Sequence, residues 1–244
     1  MDDTVRRDIH NSEIPVLCRA CEARHRGVCG ALTPEQLVAL SKHTSRKTIE
    51  PGVELVAEDQ DISGYANVIG GVVKLTKILS DGRQQIVGLQ FAPDFLGRPF
   101  SKTSKLSAEA ATEVELCAFP KSVVERMLTD APDLEHKLLE QTLKELDEAR
   151  DWMLTLGRKT AAEKVASFLN LIAEHSNPDL DDESGSVSFD LPLTRADIAD
   201  FLGLTIETVS RQLTKLRKEG VIVIENNRHV TVPDIEKLGM RARL

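Results

Sequence analysis

The chain has 244 residues, 41% of them hydrophobic and 29% charged, enough for one or two globular domains that bury a core. A formal net charge of −8 excludes a basic surface over the whole chain, of the sort that coats nucleic acid, and leaves room for a local basic patch. Aromatic residues make up only 4%, which argues against stacking on single-stranded bases.

The start of the chain, MDDTVRRDIHNSEIPVLCRAC, lacks the apolar core of a secretory signal, and no later apolar run approaches the ~18 residues of a membrane span. A cytoplasmic protein without a membrane partner is expected. In that compartment clustered cysteines more often bind metal or do redox chemistry than form disulfides. Residues 1–32 are polar, show no amphipathic period and hold three of the four cysteines. Cys18, Cys21 and Cys29 are spaced C-x2-C-x7-C. The fourth, Cys117, lies in EVELCAF, where Val114, Leu116 and Ala118 alternate with Glu115 and Cys117. That puts Cys117 on the more polar face of a strand, which suits a ligand better than a core thiol. Four thiolates can hold a 4Fe–4S cluster or a tetrahedral zinc. His25, between two of the cysteines, is either a further zinc donor or a solvated loop residue.

A short helix is expected from about Thr33 to Ser41, with Thr33 as its cap, Pro34 in its first turn and Leu37, Val38 and Leu40 on its apolar side. From about Thr48 to Phe119 the pattern is strands joined by turns. Pro51-Gly52, Gly70-Gly71 and Asp81-Gly82 mark breaks, the last flanked by VVKLTKIL and QQIVGLQF. No crossover helices separate these strands, so a small antiparallel barrel or sandwich is expected rather than a parallel sheet. From about Pro132 the period changes. Leu139, Leu143, Leu146 and Met153 fall at alternating three- and four-residue steps if Arg150 is admitted to the series, a heptad-like stripe that Leu138, Trp152 and Leu156 widen. A second helix, about Ala161 to His175, carries Val165, Phe168, Leu169 and Ile172 on one side. SNPDLDDESGSVS after it is an acidic exposed loop.

Residues Leu193 to Val232 are the most informative. Thr194 and Asp197 have capping-box spacing and open a helix with Ile198, Ala199 and Leu202. Gly203 permits a tight turn, Thr205 caps a second helix to about Glu219, and Gly220 ends it. This is the helix-turn-helix pattern. Val209, Leu213 and Leu216 form the buried side of the second helix. Glu207, Ser210 and Arg211 share its opposite face near the N-terminus. A carboxylate accepts from the cytosine amino group, arginine binds guanine through two hydrogen bonds, and Ser210 can donate to base or phosphate. Lys215, Arg217 and Lys218 suit backbone contacts. VIVIENNRHVTV then reads as two strands around Asn226-Asn227, the wing of a winged helix-turn-helix.

The stretch LTRADIADFLGLTIETVSRQLTKLRKEGVI resembles the DNA-binding domain of CRP/FNR-type regulators, and ETVSR matches the E-x-x-S-R signature of the FNR branch. The resemblance extends over nearly the whole chain. It implies an α+β protein: an N-terminal double-stranded β-helix, or cyclic-nucleotide-binding-like β-roll, then a long dimerisation helix, then a C-terminal winged helix-turn-helix. The corresponding segments are a cysteine-rich stretch 1–32, a sensor roll 33–125, a dimerisation helix 126–157 and a DNA-binding domain 158–244. It further implies a homodimer on palindromic double-stranded DNA with TTGAT- and ATCAA-like half-sites, read by Glu207, Ser210 and Arg211, and a contact with RNA polymerase through the loop SDGRQQ. The cysteine order resembles the FNR oxygen sensors, with the x7 gap of the FnrN-like subgroup. It implies an oxygen-labile 4Fe–4S cluster bound by Cys18, Cys21, Cys29 and Cys117. Cyclic nucleotide is not expected, because FLGRPFSKTSKLSAEAAT lacks the family's G-E and R-S elements and has Arg98 where the acid would stand. Nor is an enzyme expected, since there is no nucleotide fingerprint such as G-x-G-x-x-G and no P-loop.

Overall fold

The computed structural model describes residues 14–176 and 185–243. They divide into two compact units, the first comprising residues up to 77 together with 87–146, the second 78–86 together with 147 onward.

The first unit opens with two four-residue helices, α1 (Val16–Arg19) and α2 (Glu22–His25), and a 3₁₀ turn, Val28–Ala31. None of these was expected, because pieces this short carry no amphipathic period. Helix α3 (Pro34–Ser41) opens on Thr33, the expected cap, which exchanges hydrogen bonds with Gln36 in a capping box; such a cap contributes about 1 kcal/mol. Eight strands follow: β1 (Ser45–Ile49), β2 (Glu54–Val56), β3 (Gly64–Gly70), β4 (Val73–Ile78), β5 (Gln84–Gln90), β6 (Phe95–Leu96), β7 (Ser107–Ala110) and β8 (Val114–Pro120). They form two antiparallel sheets, ordered β1-β8-β3-β6 and β2-β7-β4-β5. Ala66, Val68, Val73, Ala108, Ala110, Val114 and Leu116 make one core cluster of the roll. All three glycine-containing dipeptides fall at strand breaks, as expected.

A second core cluster joins Val28, Leu32, Leu37 and Leu40 to Tyr65, Phe95 and Phe119, and to Leu128 of α4 (Lys121–Asp130) and Leu134 of α5 (Pro132–Arg158). Helix α4 separates the roll from the long helix, so the latter begins at Pro132 and not at 126. Proline disfavours helical backbone at the residue before it and is well placed at the start of a helix, which divides α4 from α5 at Ala131. The heptad stripe of α5 is left bare: Leu139, Leu143 and Leu146 are 54%, 53% and 44% exposed and Met153 is 73% exposed.

In the second unit α6 (Ala161–Ser176) buries Val165, Phe168, Leu169 and Ile172 against the helix-turn-helix formed by α7 (Arg195–Leu202) and α8 (Ile206–Lys218). A three-stranded sheet, ordered β10-β11-β9, is made by β9 (Val187–Asp190), β10 (Val223–Glu225) and β11 (His229–Val232). The wing turn at Asn226 and Asn227 takes positive φ at both residues, as tight hairpins require. Strand β9 corrects the loop reading of Val187 and Ser188: Val187 pairs with Val232 and is buried. The acidic residues 177–184 lie outside the described residues. Helix α9 (Ile235–Ala242) was also not expected. Ion pairs tie its end to the other helices, Arg241 to Glu219 at 3.0 Å and Arg243 to Glu163 at 2.5 Å.

Candidate functional site

Two sites emerge, one in each unit. In the first, the fold gathers the four cysteines from separate segments. Cys18 lies in α1, Cys21 caps α2, Cys29 sits in the 3₁₀ turn and Cys117 is on β8. The reason lies in the strand register and the packing of the N-terminal segment on it. Cys117 is paired with Arg46 of β1 on one side and with Asn67 of β3 on the other. Asn67 Nδ2 donates to Cys29 Sγ at 3.1 Å, and Arg46 Nη2 donates to the Leu17 carbonyl, next to Cys18, at 3.0 Å. These two polar residues therefore tie both ends of the cysteine-rich segment to the strands that flank Cys117. Gly27 makes the close approach possible: a Cβ there would lie 2.9 Å from both the Ala23 and the Pro93 carbonyl oxygens.

Cys117 does not lie on a simply polar face. Phe119, two residues on and on the same side, is buried, and Cys29 and Cys117 both pack against the core cluster that contains it. The alternation in EVELCAF identified two faces but not which of them a helical segment would cover. Burial pushes the Cys29 thiol up to about 12 and Cys117 up to about 11, and the negative charge of the neighbouring cysteines adds to both. Burial and Cys21 raise Cys18 as well, against the opposing charges of Arg46 and Arg24. Four thiolates this close repel one another unless a cation joins them.

The donor set is gathered without closing on a point. Among the described residues no three His, Cys, Asp or Glu side chains are placed to hold one metal ion. Tetrahedral zinc needs its thiolates at about 2.3 Å from a single centre, whereas a four-iron cluster spreads four thiolates around a larger body. The four free cysteines supply the thiolate set that either group takes. His25 is not directed to the thiols. Its Nε2 lies 2.8 Å from the Arg19 carbonyl, which can only accept, so that nitrogen carries the proton and braces the loop.

In the second site Gly203, at φ 61°, makes the left-handed turn between α7 and α8 that other residues resist. Thr194 and Asp197 form the expected capping box, and Thr205 accepts from the Thr208 amide. Val209, Leu213 and Leu216 face the core, which leaves Glu207, Ser210, Arg211 and Lys215 exposed on the outer side of α8. Glu207 is held below the usual carboxylate range by hydrogen bonds from its own backbone N–H and from Thr205, so it stays an acceptor. Arg211 Nη2 donates to Thr208 Oγ1 at 3.3 Å, which restrains the guanidinium. Arg195 was missed in the sequence: its Nη2 donates to the Asn227 carbonyl at 3.1 Å, bracing the wing turn against the first helix. Asn67 and Arg46 were missed too. An asparagine in the otherwise apolar strand run ANVI was the one local hint.

Comparison with known proteins agrees with both units. Residues 46–131 match the cyclic nucleotide-binding domain and residues 163–241 the Crp-like helix-turn-helix domain. A protein of Rhizobium leguminosarum bv. viciae named "Probable transcriptional activator" is 57% identical over 97% of this chain and 97% of its own. The transcriptional activator protein FnrL of Cereibacter sphaeroides is 42% identical over 93% of each chain. The solved structure of FixK2 from Bradyrhizobium japonicum is 32% identical, with a TM-score of 0.71 over 81% of this chain and 96% of that one.

Proposed function

The chain belongs to the CRP/FNR family of transcription regulators, as a DNA-binding activator of the FNR/FixK type, and from that premise we propose that it is an oxygen-responsive member whose Cys18, Cys21, Cys29 and Cys117 hold a 4Fe–4S cluster. The observation that carries this reading is the convergence of the four cysteines, with Asn67 and Arg46 bridging Cys117 to the segment around Cys18 and Cys29. When bound, the cluster supplies iron that oxygen can oxidise.

The chain's own residues supply the coupling. Ligation ties residues 18–29 to β8 and so orders the core that Cys29 and Cys117 pack against. That core also takes in Leu134 and, at its edge, Leu138, both on the first part of α5. The same stretch of α5 bears the exposed Leu139, Leu143 and Leu146. Members of this family are dimers, and pairing through this stripe presents two recognition helices about one DNA turn apart, ~34 Å. Without ligation the N-terminal segment no longer supports the start of α5, and the dimer weakens. Glu207, Ser210 and Arg211 read bases in the FNR-type palindrome, while Lys215 binds phosphate. The exposed hairpin tip around Asp81 and Arg83 is available to RNA polymerase. Together these make a switch for genes of anaerobic or microaerobic metabolism.

Protein purified without air is expected to be brown, to contain about four iron and four sulfide per chain, and to bleach on exposure to air. Colourless anaerobic protein with stoichiometric zinc and no sulfide would overturn the reading. For the DNA contacts, Arg211→Ala is expected to cost roughly 1–3 kcal/mol at a matched palindrome through loss of the two-bond guanine contact. Binding to scrambled DNA should fall much less, because phosphate contacts dominate it. Lys215→Ala is expected to weaken both sites alike and to lower the salt slope by roughly one. Titrations at several salt concentrations measure both effects. Undiminished discrimination by Arg211→Ala would move the reading face elsewhere.

A further inference from the structure

We propose that Asn67 is a positioning residue for the Cys29 sulfur: its side-chain amide donates to the ligating thiolate and sets the potential of the bound cluster and the rate at which air destroys it. This inference rests on the cluster reading above. Asn67 lies on β3, is 1% exposed, and is paired in register with Cys117. Its Nδ2 donates to Cys29 Sγ at 3.1 Å, across 38 residues of sequence, so one buried side chain touches one cysteine and neighbours another.

The two ends of the amide are used unequally. The Oδ1 atom is buried with no hydrogen-bond partner among the described residues. Side chains placed only to fill space in a strand are normally apolar, and a buried amide serving the fold normally satisfies both ends. Here only the N–H end is used, and it is aimed at sulfur. A ligating thiolate has no proton to give, so rotating the amide offers no equivalent contact: only N–H can face it.

A donor to a ligand sulfur withdraws charge from it and stabilises the more reduced, more negative cluster. Removing the donor should therefore lower the reduction potential and make the resting cluster easier for oxygen to oxidise. The test uses full-length wild type, Asn67→Leu and the near-isosteric Asn67→Asp, each reconstituted anaerobically with iron and sulfide. Redox titration and air bleaching are followed by visible absorption, and melting of each metal-free protein is followed by circular dichroism.

Both variants are expected to show a lower potential and to bleach roughly tenfold faster than wild type, the scale on which ligand-supporting partners act. Failure of both to retain a cluster while their metal-free forms melt like wild type would equally support a role in holding Cys29. Wild-type potential and bleaching rate in both variants would overturn the inference, as would loss of the cluster together with a lowered metal-free melting temperature, which marks a purely structural residue. Colourless wild-type protein would remove the cluster reading and this inference together, whereas coloured wild type with unchanged variants would remove this inference alone.

Discussion

Cys117→Ser protein, purified without air, is expected to carry no stable iron or sulfide and to bind a matched palindrome at least about tenfold more weakly than wild type. The first part follows from ligand chemistry. Changing a residue that only supports a metal ligand costs roughly 10–100-fold in affinity or activity, and loss of a ligand itself should exceed that. Cys117 is also the ligand that cannot be supplied locally. The other three lie within a dozen residues of one another, and Cys117 is the one of the four that the roll itself contributes, from β8. The second part follows from linkage, since whatever binds one state and not another shifts the balance by its differential affinity. Serine is smaller and its hydroxyl is less at ease beside Phe119, so metal-free forms of both proteins should be melted as a control. Equal melting with unequal iron content isolates ligation. A variant that keeps full iron, sulfide and DNA affinity would show that Cys117 is not a ligand and that the remaining donors lie elsewhere.

Leu143→Glu is expected to weaken dimerisation by roughly 10–10²-fold without unfolding the protomer. Leu143 is half exposed in the single chain, so little core packing is lost. In a symmetric dimer the change occurs twice, and because only about half of each side chain is left to bury, losing that burial costs roughly 1.5–3 kcal/mol in all, about half of the 1.5–3 that full burial of each leucine contributes. Each 1.4 kcal/mol is a factor of ten, which sets the range; two desolvated carboxylates facing each other add to it. Leu146→Glu should act in the same direction, but Leu146 also lines the open groove of the roll beside Leu138 and Leu116, so Leu143 is the cleaner probe. Sedimentation of cluster-loaded protein over a range of concentrations measures the constant. An unchanged value would place the dimer interface off the heptad stripe.

The DNA-reading unit was legible in the residue order because its signals are local. Thr194 and Asp197 satisfy each other across three residues, Gly203 supplies the left-handed turn, and Val209, Leu213 and Leu216 repeat at helical spacing. Each signal is an interaction within one turn of helix, where loop closure costs little. The heptad stripe of α5 and the glycine turns of the roll were legible for the same reason. Helix α9 and strand β9 were not. A four-residue strand has no stability of its own; Val187 to Asp190 become a strand only because residues 229–232 offer hydrogen bonds.

The cysteine site divides along the same line. Residue types and spacing determined that Cys18, Cys21, Cys29 and Cys117 were candidates for one metal group, and the family resemblance suggested which. Their gathering was decided by the tertiary structure. Pairing of β1 and β3 with β8 set Arg46 and Asn67 on either side of Cys117, and the packing of Val28 and Leu32 on the second core brought Cys29 to Asn67. Those contacts span 29 and 38 residues. Nothing in the local pattern of either strand encodes them, because strand periodicity tells which residues share a face and not which other segment will cover it.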